Sequence, residues 1–200
     1  MLHHDDLPAE VELGPSIAVD TETMGLNLAR DRLCLVQLSS GDGTSHLVQF
    51  RKGRYTAPRL KAVLGDPKRL KIFHFARFDL AALQRYLELD CRPVYCTRTA
   101  SLLVRTYTDR HGLKDLCREL IDVEISKQQQ SSDWGSETLS DEQLRYAAAD
   151  VLYLHRLKEV LDGMLAREGR SDLAQAAFDF LPARAALDLA GWQDVDIFAH

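Results

Sequence analysis

The sequence predicts an α/β domain in which α-helices cover both faces of a mixed β-sheet. Three observations carry this. Three short apolar runs follow one another closely near the start, at residues 16–23, 33–39 and 45–50. Beyond Ala57 the apolar spacing alternates between strand-like and helical stretches. The 200 residues, 46% hydrophobic and 28% charged, suffice for one sizeable core without disulfides or structural metal.

Each element follows from local signals. The leader to Pro15 is polar and predicts no element. Ser16–Thr23 has the composition of a buried strand, and Leu33–Ser39 is a second, closed by Gly41-Asp42-Gly43, a strong turn signal. A third follows at 45–50, and the short connections predict an antiparallel meander. Leu60, Val63 and Leu64 fit a short helix ended by Gly65-Asp66-Pro67. Residues 70–75 read as a strand, and Leu80, Leu83 and Leu87 place a helix over 79–89. A brief strand at 94–97 precedes helices around 100–104 and 113–120. Residues 125–139 are polar and irregular. Ser140-Asp141-Glu142-Gln143 has the form of a capping box, so one long helix is expected from there to about Leu165. The tail from Ser171 reads as a helix to Leu181 and a second one begun by Pro182 and ended at Gly191, with Trp192 and Phe198 as packing residues. The whole chain, 1–200, reads as a single domain.

Composition excludes several classes. No apolar run approaches the roughly 18 residues of a membrane span, and the first residues lack a signal peptide's basic and apolar regions. A cytoplasmic location is expected. Cys34, Cys91, Cys96 and Cys117 show neither paired C-x-x-C spacing nor a zinc-finger pattern, so they are expected to be reduced. A net charge of −5 runs against a nucleic-acid partner, yet residues 51–71 carry eight Lys and Arg against the single acid Asp66. That stretch is either a solvated face or a phosphate-tracking surface.

The chemistry sits in the acids. Strand alternation puts Asp20 and Glu22 on one face, where they repel unless a positive charge lies between them. A hard divalent cation with a preference for oxygen ligands answers that need. Tyr146 and Asp150 stand at i and i+4 on a predicted helix, separated only by alanines, so both point one way and the helix can approach closely. Asp79 follows a strand near a helix start, where it is either an N-cap or a ligand.

Together, Asp20-x-Glu22, Phe78-Asp79 and Tyr146-x-x-x-Asp150 resemble, in order and separation, the three motifs of the DEDD 3′-to-5′ exonucleases, in the tyrosine subclass. The segment from Lys127 through Gln130, Ser132-Asp133-Trp134 and Glu142 to Asp150 is more narrowly similar to ribonuclease D. The resemblance covers about residues 16–165, with a helical tail at about 171–191. It implies a ribonuclease H-like fold and two divalent cations, Mg²⁺ or Mn²⁺. Asp20 would bridge them, with Glu22 and Asp150 completing one site and Asp79 the other, and Tyr146 would orient the attacking water. The implied substrate is a single-stranded RNA 3′ end, as in tRNA precursors or decaying RNA, with single-stranded DNA as the alternative. A catalytically silent nucleic-acid-binding module is the other class. Backbone amides near Thr23 are expected to meet the 3′ hydroxyl. Met24 and Leu26 either stack on the terminal base or pack, Trp134 with Lys127 and Gln130 forms either a mobile wall over the scissile phosphate or a structural loop, and His74 is either a substrate contact or a satisfied core histidine. Full-length ribonuclease D adds helical C-terminal nucleic-acid-binding domains, whereas about 35 residues follow the motif region here. Phe75 stands where relatives tend to have a smaller or polar residue; it either narrows the site or fills the core, and packing is the expectation. Monomer and homodimer remain equally open.

Overall fold

The computed structural model describes residues 1–126, 129 and 131–199. Six strands form one mixed sheet: β1 Leu2–His4, β2 Ser16–Thr23, β3 Leu33–Ser39, β4 His46–Gln49, β5 Leu70–Phe73 and β6 Val94–Cys96, in the spatial order β1-β4-β3-β2-β5-β6. The antiparallel pairs β2–β3 and β3–β4 make the expected meander. On the other side of β2, β5 and then β6 add in parallel. Every residue of β3 is buried, which explains its near-continuous apolar run: a strand covered on both faces has no solvent side to mark with polar residues.

The flanking helices are α1 Pro58–Gly65, α2 Ala76–Leu87, α3 Thr97–Val104, α4 Leu113–Ile121, α5 Asp141–Leu152, α6 Leu154–Arg167 and α7 Ser171–Leu187. The main core runs from Ile17, Val19, Val36 and Leu38 through Ile72 and Leu83 to Leu157, Leu161 and Phe178. A smaller cluster of Cys34, Leu35, Leu47, Trp134, Leu139 and Ala147 seats α5 on β3 and β4. Burying Leu35 or Leu47 there is worth roughly 2 kcal/mol each. All four cysteines are buried and free. No described helix is long and apolar enough to cross a membrane.

The fold departs from the sequence reading in four places. The polar leader contains β1, which pairs in parallel with β4 through Leu2, His3 and His4; the strand owes its form to its partner rather than to its own residues. The long helix of 141–165 is two, broken at Tyr153 (φ −108°, ψ −3°). In the tail, α7 runs through Pro182 without stopping. Ala174, Phe178, Pro182 and Ala185 form a buried stripe, and packing against α2 outweighs the missing N–H. A π-helical turn at Asp188–Trp192 follows, containing Gly191 at φ 102°. Trp192 and Phe198 do not join the core: both are exposed.

Candidate active site

Asp20 and Glu22 sit at the end of β2, the strand paired on both sides, just before a register shift between Glu22 and Thr23. Opposite Asp20 on β3 is Gln37, and direct cross-strand partners share a face. Its Nε2 donates to Asp20 Oδ2 at 3.2 Å. Thr21 alternates to the other face and donates its hydroxyl to Asp79 Oδ1 at 2.6 Å; both residues are buried. Asp79 therefore does not cap α2. The N-cap position is Phe75, in the left-handed region at φ 65° and ψ 46° and without a side-chain cap, and Asp79 is one turn inside the helix. A bulky residue held there costs about 1–3 kcal/mol.

The helix α5 crosses β2, β3 and β4. Its capping box is complete: Ser140 Oγ accepts from the Gln143 N–H at 3.2 Å, and Gln143 Oε1 accepts from the Ser140 N–H at 2.9 Å. Such a cap contributes about 1 kcal/mol and fixes where the helix begins. From that start, Tyr146 and Asp150 reach β2. Oxygens of Asp20, Glu22 and Asp150 all lie within 4.8 Å of one another. Asp79 stands outside this group of three, beside it and held by Thr21.

Among the described residues, no Lys or Arg forms an ion pair with any of the four acids. Burial pushes the Asp20 carboxyl up to about 7. Burial, then Asp20, Asp150 and Asp79, push Glu22 up to about 10. Asp79 and Asp150 are raised well above the ordinary range by burial and by the Asp20 charge. Tyr146 is held protonated far above its usual value by burial and the acids around it. This much uncompensated carboxylate is costly unless a cation enters. Oxygen donors alone, three within reach of one ion and a fourth adjacent, fit a hard divalent metal.

The expected substrate contacts divide. Met24 and Leu26 are exposed beyond the strand end, Leu26 at 86%. Thr23 is buried, and its hydroxyl donates to the Gly25 carbonyl at 2.5 Å. The Met24 N–H is used by the Arg32 carbonyl at 3.0 Å, so the amides expected to meet a 3′ hydroxyl are partly engaged by the fold. His74 Nδ1 is tied to Thr97 Oγ1 at 2.9 Å. Lys127 and Gln130 lie outside the described residues. Trp134 fits the structural-loop alternative: it is 2% exposed, with its ring centroid 6.0 Å from that of Tyr146. Its loop is pinned by Arg32 to the Gly135 carbonyl and by Gln49 to the Ser136 carbonyl. Phe75 is 52% exposed and does not pack in the core. The basic stretch is no single surface either. Arg51 pairs with Asp5, Arg69 holds the Leu13 and Gly14 carbonyls, and Lys71 is wholly buried against the Asp66 and Arg92 carbonyls.

The sequence reading missed Thr21 and Gln37. Thr21 could have been found from alternation, since the residue between two site acids must face the opposite helix layer. Gln37 becomes visible only once the β2–β3 register is known.

Residues 4–166 match the 3′-5′ exonuclease family. Ribonuclease D of Gluconacetobacter diazotrophicus is 34% identical over 158 residues, which is 79% of this chain and 40% of that protein. The chain thus spans less than half the length of that curated relative. Brucella melitensis NrnC bound to pGG superposes with a TM-score of 0.96 at 56% identity, covering 100% of this chain and 97% of that one. The same protein with bound Mg²⁺ gives 0.94 at 55%, covering 100% and 98%. Escherichia coli RNase D, described as an exoribonuclease involved in structured RNA processing, gives 0.75 at 26%, covering 90% and 48%.

Proposed function

The chain belongs to the 3′-5′ exonuclease family, and on that premise we propose that it hydrolyses single-stranded RNA from the 3′ end, releasing nucleoside 5′-monophosphates. The observation that carries this reading is the close grouping of Asp20, Glu22 and Asp150 with Asp79 beside it. In this reading the four acids hold two divalent cations, Mg²⁺ or Mn²⁺, and the separate placement of Asp79 supports assigning it to the second. When bound, such ions supply the positive charge that activates an attacking water and stabilises the departing 3′ oxygen.

The chain's own groups do the positioning. Gln37 and Thr21 restrict the rotamers of Asp20 and Asp79, so both carboxylates are aimed before any ligand arrives. Tyr146, kept protonated, donates a hydrogen bond toward the water and orients it; it does not take its proton. Exposed Met24 and Leu26 lie beyond the acids, where a terminal nucleotide would rest. RNA as the sugar class is supported by the ribonuclease D relatives and by the pGG-bound NrnC, which also favours short single strands such as products of RNA decay. Four buried free thiols suit a reducing, cytoplasmic setting.

The test is side-by-side digestion of matched RNA and DNA oligonucleotides labelled at the 5′ end, with Mn²⁺, Mg²⁺ or excess EDTA. Stepwise shortening of RNA that EDTA abolishes is expected. Degradation of DNA alone overturns the RNA assignment, and activity that persists in EDTA overturns the metal reading.

A further inference from the structure

Phe75 is placed against the rules that govern its position. Its backbone is left-handed, a conformation that suits Gly or Asn, and it stands at a helix N-cap, where Ser, Thr, Asp or Asn would bond the free N–H groups. The ring gains no core burial in return, being 52% exposed. Neither backbone geometry, capping nor packing accounts for an aromatic residue there.

The surroundings do. Phe75 is shared by two neighbouring cavities, one of about 440 Å³ and one of about 150 Å³. Arg98 lines only the smaller, and its guanidinium carbon lies over the ring, 5.1 Å from the centroid. No described acid pairs with Arg98. The larger cavity is walled by Leu26, four residues beyond Glu22, and by Phe78, next to Asp79, so it opens from the same two chain segments that present the acids. A ring backed by a cation on one face and bordering an open slot is a stacking platform, and single-stranded RNA presents a flat π-face at every nucleotide.

We propose that Phe75 is a base-stacking wall for bound RNA, with Arg98 as the positioning residue that holds its ring. The ligand class rests on the RNA-hydrolysing reading of the carboxylate site. The test is fluorescence anisotropy in Ca²⁺ with a short labelled oligoribonucleotide and with versions carrying one abasic nucleotide at each position in turn. Phe75→Ala is expected to weaken Kd about 5- to 150-fold, the range of one base–aromatic stack, and Phe75→Trp to preserve it. Arg98→Ala is expected to weaken Kd about 2- to 5-fold. At one position the abasic change should cost the wild type the same factor and leave Phe75→Ala unaffected. Phe75→Asn suits the left-handed backbone, so it should bind RNA as weakly as Phe75→Ala while its Tm equals or exceeds that of the wild type. Equal Kd for wild type and Phe75→Ala overturns the proposal. So do equal abasic losses in both proteins at every position, or a Tm several degrees lower in Phe75→Asn. Hydrolysis of the same RNA by the wild type in Mn²⁺ is scored separately: its absence removes the nuclease reading, and the binding cycle still decides what Phe75 does.

Discussion

Asp150 and Asp188 are partly buried aspartates in late helical segments, and the protein treats them in opposite ways. Burial pushes both carboxyls up. At Asp188 two guanidiniums reverse the effect: Arg77 donates at 2.6 and 2.8 Å, Arg184 at 2.6 and 3.0 Å, and the group ends below its ordinary value. At Asp150 burial and the Asp20 charge outweigh the lowering effect of the Tyr146 hydrogen bond, and the carboxyl ends far above it. Asp188 serves the fold and arrives with its counter-charge; under the proposed function Asp150 instead awaits a metal ion, and among the described residues no Lys or Arg pairs with it. The energetic cost at Asp150 is then recovered on binding rather than on folding.

The largest break in this comparison is Asp150→Ala. RNA hydrolysis should fall by about 10³-fold or more while the metal-free Tm holds or rises, because a destabilising charge has gone; activity assays and thermal denaturation check both. Tyr146→Phe comes next, with kcat lowered about 10- to 100-fold and Mn²⁺ affinity by calorimetry nearly unchanged. A fully active Tyr146→Phe removes the phenol from the mechanism.

The pH dependence of the two regions has opposite sign. In metal-free protein the site acids bind protons more tightly folded than unfolded, so their contribution to stability falls as pH rises from the ordinary carboxylate range through about 7 for Asp20 and about 10 for Glu22. Asp188 stabilises above the unfolded carboxylate pKa, and that contribution is lost as pH falls through its lowered value. Melting in EDTA across pH should therefore show a decline toward alkaline pH that Asp150→Asn flattens. Mn²⁺ binding should release protons near neutrality and weaken about tenfold per pH unit below it, for one proton displaced.

The smallest effect on function belongs to Arg184→Ala. Loss of its bonds to Asp188 is worth about 1.5–3 kcal/mol, a Tm decrease of about 3–10 °C. Hydrolysis at saturating RNA should stay within about twofold.

Where the proposed function calls for a residue type, the sequence was legible. Asp20, Glu22, Tyr146 and Asp150 stand in spacings that strand and helix periodicity convert directly into shared faces, and the meander of β2 to β4 announces itself by apolar runs and glycine turns. What escaped depends on partners distant in sequence. His3 and His4 are strand only because β4 lies alongside. Pro182 continues a helix because its stripe packs on α2. Tyr153 breaks a helix without a proline or glycine to mark it, and Trp134 is buried by a loop that Arg32 and Gln49 hold down from other strands. Phe75 was expected in the core because aromatic residues usually are; its exposure follows from a backbone conformation that composition does not reveal.

Thr21 lies between Asp20 and Glu22 and bonds Asp79 from the opposite side of the same strand. Three consecutive residues of β2 thus refer to both layers of helices at once, and the strand works as a ruler with marks on two edges. Slipping it by one residue against β3 and β5 would turn both acids toward the wrong layer and leave Asp79 without its hydroxyl donor. The accuracy of the site is therefore a property of sheet register: β5 fixes β2 at Ser16–Ala18, and β3 carries that register on through Asp20 and Glu22.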